Sequence, residues 1–542
     1  MADDKYYLHQ AIAQSVMDHG IETMFGLMGD ANLFMVDHYV RACGGTFVPA
    51  AIEGSSVLMA LAYSGVSGKI GVATVTHGPA FTNCMTALTE GARAQTSMVL
   101  LCGDTPVSVP YNPQNTDQRE LAKATGSGFE QLRSPQTAAY DIAKAFYHAK
   151  VEKRPIVLNI PADFMWQEAE YEKLVYPVFD DPAYVPQGND VDEAIGMIAS
   201  AKRPIILAGR GAISARKNLI DLANRLEAPL ATTLRANGLF GDQPANMGIF
   251  GTLSTPAAYE TIALSDCVIS FGASLHPFTT DRGKLMKGKR VVQVNNRIAD
   301  ISRNYHPDVA LGADAALTAA NIVSWLDEAE IAPSGFVGEL DMAILNAHPA
   351  PDRDKSKSGY VDFIFALERL EKALPAERIL VTDGGRFMTE VWCRVSAPDP
   401  VSFLVSTNFG SIGLGLQQAI GAGFAAPERP IVLFTGDGGF MMGGLNEFNT
   451  AVRMKQDLIV IVCNDSAYGA EHIQFLDRSM DPSLSEFDWP SFAAIADALG
   501  GQGVSVNSAE QLETAIQAIE KRKGPILIDL KVDPNDVPRM RM

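Results

Sequence analysis

The stretch from Pro430 to Asn464, PIVLFTGDGGFMMGGLNEFNTAVRMKQDLIVIVCN, constrains the fold most. It reads as an apolar run, a Gly-Asp-Gly turn, a helical segment and a second apolar run ending on Asn. Two continuous apolar strands joined by a helix form a right-handed crossover, and strands of that composition belong to parallel sheets covered on both faces. The crossover carries Asp437 and Asn464, 464 − 437 = 27 residues apart, to the carboxyl edge of one sheet, where open α/β folds bind ligands. One carboxylate and one amide oxygen suit magnesium, which takes oxygen ligands in near-octahedral geometry and completes its shell with phosphate oxygens and water. Gly436, Gly438 and Gly439 let the backbone approach such a group closely. An Asp-Gly turn with Asn464 capping a strand gives the same spacing without a ligand.

The same alternation recurs along the chain. KIGVATVT, SMVLLCG and PIVLNIP come first, then RPIILAG, CVISFGA and RVVQVN, then RILVTDG, PIVLFTG and LIVIVCN. Two stretches break it: 176–189, with three prolines, and the polar, charged 348–359. The expected fold is therefore α/β, three doubly wound parallel-sheet domains over 1–175, 190–345 and 360–542. GVATVTHGPAFTN and IVLFTGDGGFMMG share a strand, glycine turn, Phe and helix, a hint that the first and third domains are duplicates. At 542 residues, 47% hydrophobic and 20% charged, the chain suits a soluble protein of several domains. A net charge of −19 without a basic run argues against nucleic acid. No apolar run is long enough to span a membrane, and the acidic amino terminus lacks a signal-peptide pattern. Six scattered cysteines suit free thiols in a reducing compartment, so a cytoplasmic location is expected.

Glu53 stands alone in PAAIEGSSVLMALAYSG. A carboxylate among apolar and small residues is either paired or functional, unless it only favours a helix start. Backbone N–H groups of Gly384 and Gly385 in TDGGRFMTEVW are placed to cradle an anion at a helix start. STNFGSIGLGLQQAIGAGFAAPERP is glycine-rich without being low-complexity, which helix packing alone also explains. Asp30 in FGLMGDANLF is a candidate acid or the N-cap of a helix from Ala31. His77 is a candidate acid or base, or a satisfied structural histidine, and Glu471 a candidate acid or an exposed neighbour of His472.

The GDG-to-Asn segment resembles the signature of thiamine diphosphate enzymes, and over nearly the whole chain the sequence is similar to the acetolactate synthase, benzoylformate decarboxylase and pyruvate decarboxylase group. The resemblance implies pyrimidine-binding, central and diphosphate-binding domains. Asp437 and Asn464 would ligate magnesium, with a main-chain carbonyl from Ser466 or its neighbour, in a loop one residue longer than in acetolactate synthases. Tyr468 and Gly469 of that loop, Gly384, Gly385 and Arg386, and Gly410 with Ile412 would contact the cofactor, Arg386 compensating by charge for an absent Gln-His pair. Glu53 would exchange a proton with the aminopyrimidine. Asp30 and Glu471 match the acids of the decarboxylases, and Gln118 matches acetolactate synthase. His77, Gln474 and Ala162 depart from biosynthetic acetolactate synthases.

The implied activity is that of a magnesium-dependent 2-oxo acid decarboxylase or carboligase, acetolactate synthase-like, acting through a thiazolium ylid and an enamine. Alternatives are an acyloin lyase or cyclic diketone hydrolase using the same ylid without decarboxylation, and a cofactor-binding regulatory or scaffold subunit. The middle segments LAGRGAI and FGASLHPFTTDRG resemble the FAD region of acetolactate synthases, a shape many relatives keep without flavin, so FAD stays open. In this family the site lies between subunits, so a homodimer or homotetramer acting on a small molecule is expected.

Overall fold

The computed structural model describes residues 6–177, 183–349 and 354–539; parts of both expected linkers, 178–182 and 350–353, lie outside them. The apolar runs form the centres of three six-stranded sheets, each parallel throughout. The first sheet comprises β1 (Thr23–Gly26), β2 (Thr46–Pro49), β3 (Gly71–Val75), β4 (Met98–Asp104), β5 (Gly128–Gln131) and β6 (Pro155–Pro161), in the order β2-β1-β3-β4-β6-β5. The second comprises β7 (Pro204–Ala208), β8 (Leu230–Thr232), β9 (Asn246–Ile249), β10 (Cys267–Phe271), β11 (Arg290–Asn295) and β12 (Val309–Gly312), in the order β9-β8-β7-β10-β11-β12. The third comprises β13 (Ile379–Thr382), β14 (Phe403–Val405), β15 (Ile431–Gly436), β16 (Leu458–Asn464), β17 (Gln502–Val506) and β18 (Ile526–Lys531), in the order β14-β13-β15-β16-β18-β17.

The three-sheet expectation holds. The first and third sheets share one order, and the middle sheet has another, so the likeness of GVATVTHGPAFTN to IVLFTGDGGFMMG is the trace of two domains with one topology. All seven residues of β6 and of β16 are buried, as strands covered on both faces must be. In the third sheet the chain moves from β13 to β14 on one side and to β15 on the other. That reversal opens a crevice at the carboxyl ends of β13 and β15.

Two helices join the outer domains. α1 (Glu53–Ser67) is buried from Gly54 to Ser64, and α3 (Gly415–Ala425) lies against it. The approach is close: a Cβ on Gly421 would sit 2.0 Å from the Met59 carbonyl oxygen, so only glycine permits it. One apolar core runs through this contact, from Phe25, Val57 and Leu100 to Ile420, Leu433 and Val460. Each such large side chain contributes about 1.5–3 kcal/mol by leaving water. α2 (Met85–Ala94) follows β3, α4 (Leu445–Arg453) follows β15, and α5 (Gly469–Asp477) follows β16. Among the described residues no helix is long and apolar enough to cross a membrane.

Candidate active site

A cavity of about 730 Å³ opens at the carboxyl ends of β13, β15 and β16. Its walls include the turns around Gly384, Gly410 and Gly436, and Asp383 binds these turns together. This buried carboxylate accepts the Gly384 N–H at 2.7 Å, the Gly413 N–H at 3.0 Å and the Thr435 hydroxyl at 3.1 Å. Burial raises its pKa, and the surrounding donors oppose that rise. The sequence reading passed over Asp383, whose signal was a carboxylate directly after the apolar run RILVT. Of the two expected anion-cradling amides, that of Gly384 is already taken by Asp383.

Asp437 begins the crossover helix after β15 and is 3% exposed. Its Oδ1 accepts the Gly438 N–H at 2.8 Å and its Oδ2 the Trp489 indole N–H at 3.0 Å. Here the geometry departs from expectation, because Asn464 does not line the cavity: its amide donates to Asp529 at 2.7 Å, and its oxygen accepts from Ser466 N–H at 3.1 Å. The next residue, Asp465, lines the cavity instead. Ser466 turns back in the left-handed region at φ 53°, and its carbonyl accepts the Phe487 N–H at 2.8 Å. Ser466 O and Tyr468 N both face the 485–487 segment. Ala467 between them therefore presents its main chain to the other side, where its N–H donates to Asp465 Oδ1 at 3.3 Å. Successive residues at a strand end face opposite sides, so with Asn464 turned to Asp529 in the sheet, Asp465 faces the crevice.

The two carboxylates fit a divalent cation. Burial raises the pKa of Asp437, and burial followed by the Asp437 charge raises that of Asp465. Neither makes an ion pair among the described residues, so a cation between them would relieve two like charges held out of water. No group of three or more His, Cys, Asp or Glu that could hold a metal occurs among the described residues. The remaining ligands would be main-chain oxygen, diphosphate and water.

Arg386 departs from expectation as well. Its guanidinium donates to the carbonyls of Pro534, Val537 and Pro538, so it clasps the carboxyl-terminal segment against the cavity and is not free to pair with a diphosphate. Tyr468 lies so near the Asp437 turn that a Cβ on Gly438 would meet its ring at 2.5 Å. Gly469 abuts the Asp465 carboxylate. Ile412 and Gly410 line the opposite wall, and the exposed Glu471, on the first turn of α5, lines the mouth.

The first-domain candidates lie elsewhere in the same chain, and none of the described first-domain residues lines this cavity. Glu53 is the first residue of α1, half-buried, and its Oε2 accepts the Asn83 amide at 3.0 Å. Asp30 is exposed and caps nothing, since the helix starts at Leu33 with Asn32 before it. Its carboxylate accepts the Thr76 hydroxyl at 2.8 Å, and that hydroxyl lies 3.1 Å from His77 Nδ1. With its proton given to Asp30, the hydroxyl is placed to accept from His77 Nδ1–H, and Nε2 lies on the far side of the ring from this relay. That Nε2 is buried and, among the described residues, has no hydrogen-bond partner. Gln118 is not free to touch a substrate: its amide is committed to the Gly78 N–H, the Gly103 carbonyl and Asn159, which fixes the turn after His77.

A second cavity, about 800 Å³, lies at the strand ends of the middle sheet and shares Leu234, His276, Phe278 and Trp392 with the first. Arg93, Arg210, Arg235, Arg297 and Arg303 make it basic. Burial, with Arg210 nearby, lowers the Arg235 guanidinium to about 10.

Comparison with known proteins places this geometry. Residues 7–125 match the model of the thiamine pyrophosphate enzyme N-terminal TPP binding domain, 191–322 that of the central domain, and 383–530 that of the C-terminal TPP binding domain. The chain belongs to the thiamine pyrophosphate enzymes, which catalyse reactions at carbon–carbon bonds. It is 29% identical to the sulfoacetaldehyde acetyltransferase of Alcaligenes xylosoxydans xylosoxydans, over 94% of this chain and 89% of that protein. It is 28% identical to a probable 2-ketoarginine decarboxylase of Pseudomonas aeruginosa, covering 96% and 93%. With a probable acetolactate synthase large subunit of Methanocaldococcus jannaschii it shares 25%, covering 97% and 92%.

Proposed function

We propose that this chain is a magnesium-dependent 2-oxo acid decarboxylase or carboligase whose site forms between two copies. One observation carries the reading. The buried Asp437 and Asp465 carboxylates, in no ion pair among the described residues, meet the glycine turns of the third domain in one cavity that takes none of the described residues of its own chain's first domain. Asp437, Asp465 and the Ala467 carbonyl would hold the cation, and the Gly385 and Gly439 ends of the two glycine turns the diphosphate. When bound, thiamine diphosphate supplies a nucleophilic carbon and an electron sink for cleavage or formation of a carbon–carbon bond.

The protein's own residues then manage protons and position. Glu53, at the start of α1 in the opposing copy, holds and exchanges a proton at the aminopyrimidine nitrogen. His77 Nε2, its ring oriented through the Thr76–Asp30 relay, accepts a proton from substrate. Glu471 donates one at the cavity mouth, while Ile412 keeps the lining beside it apolar. The basic central cavity supports a phosphorylated ligand such as FAD, which the visible absorbance of the purified protein tests.

The deciding experiment offers a panel of 2-oxo acids to the protein loaded with magnesium and thiamine diphosphate and measures carbon dioxide. Release from one member, dependent on Glu53, is the expected result. Acyloin cleavage without carbon dioxide from any member rejects the decarboxylase reading in favour of a lyase.

A further inference from the structure

Two buried glutamates outside the cavity have no part in that chemistry. Glu90, on α2 of the first domain, is 1% exposed and reaches into the third domain. Its Oε1 accepts the Asn408 backbone N–H at 3.1 Å and the Asn408 side-chain amide at 2.6 Å, and its Oε2 accepts the Phe409 N–H at 2.7 Å. Glu447, on α4 of the third domain, is 0% exposed and reaches the other way. Its Oε1 accepts the Ala51 N–H at 2.9 Å and the Ile52 N–H at 3.2 Å, while Oε2 has no partner among the described residues.

The arrangement is reciprocal. α2 and α4 are the helices that follow the third strands, β3 and β15, of two domains with one strand order. Each glutamate holds the loop that follows the second strand, β2 or β14, of the other domain. One of those loops ends on Glu53, and the other continues into Gly410 and Ile412. Neither glutamate makes an ion pair among the described residues, so main-chain amides of the opposite domain stabilise both.

We infer that Glu90 and Glu447 are reciprocal positioning residues: Glu447 sets where α1 begins and so the reach of Glu53, and Glu90 sets the Gly410–Ile412 turn. The inference deepens the cofactor reading and rests on it for what the two loops do. Hydrogen bonds to consecutive amides remove slack from a loop. A misplacement of about 1 Å at a reacting group costs about 100-fold in rate, which makes the slack matter.

The test uses the full-length protein with Glu90→Gln, which replaces one of two engaged acceptor oxygens by a donor of nearly the same shape, and Glu447→Leu, which keeps the bulk of the side chain and removes the one oxygen that accepts both amides. Amide hydrogen exchange without cofactor is measured over 50–53 and 406–412. Glu447→Leu is expected to speed exchange over 50–53 by about tenfold and leave 406–412 unchanged, and Glu90→Gln to do the converse. With magnesium and thiamine diphosphate, Glu447→Leu slows hydrogen–deuterium exchange at the thiazolium carbon about tenfold at unchanged cofactor affinity, whereas Glu90→Gln weakens that affinity. Asn408→Ala, which removes one donor and leaves the carboxylate in place, should reproduce the faster exchange over 406–412 if Glu90→Gln fails to fold. Unchanged exchange in the opposite domain, or equal acceleration in both loops, overturns the assignment. If the wild type takes up no thiamine diphosphate, the cofactor reading falls while the amide exchange still decides the positioning role.

Discussion

At the scale of single residues, the site turns on which side chain after β16 faces the crevice. Asp465→Ala removes a carboxylate from the proposed cation position, so calorimetry should show at least about tenfold weaker binding of magnesium with thiamine diphosphate and a nearly unchanged unfolding midpoint. Asn464→Ala should do the reverse. It takes a donor from the buried Asp529, and chemical denaturation should show a loss of about 2 kcal/mol with the cation affinity largely kept. Glu53→Gln keeps the shape of α1 but cannot exchange a proton, so thiazolium hydrogen exchange should fall to near the rate of free cofactor while assembly persists.

At the scale of elements, the contact of α1 with α3 sets the relation of the outer domains. Gly421→Ala places a methyl against the Met59 carbonyl, where backbone cannot yield as a side chain can. Overpacking of this kind costs about 1–3 kcal/mol, and a lower melting temperature together with faster exchange over 50–53 is the expected outcome. The apolar central strands were legible in the sequence because burial on both faces demands uninterrupted runs: β16 spans the LIVIVCN run, and β11 the RVVQVN run. Strands such as β2, TFVP, and β17, QGVSV, escaped notice. They sit at or near sheet edges, are half solvated, and have neither the length nor the continuous apolar pattern of the centre.

At the scale of the whole molecule, the first-domain acids and the third-domain cavity of one chain are separate, which supports assembly of each site from two copies. Complementation tests this directly. Glu53→Gln and Asp437→Ala, each inactive alone, should regain about a quarter of wild-type activity when unfolded and reassembled together, because a mixed dimer keeps one intact site. Recovery of nothing would place both residues in one site of one chain.

The chain's own pattern of apolar runs, glycine turns and isolated acids determined the α/β class, the three sheets and the family, and it singled out Asp437 as a candidate, since these follow from local composition and spacing. Tertiary structure alone decided the rest. Whether a loop of given length turns Asn464 or Asp465 toward the crevice, whether Arg386 meets a ligand or the chain's own carboxyl-terminal carbonyls, and which backbone amides Glu90 and Glu447 hold depend on groups brought together from distant parts of the sequence. No local pattern encodes those partners, because hydrogen bonds act over a few ångströms in space and are indifferent to separation along the chain.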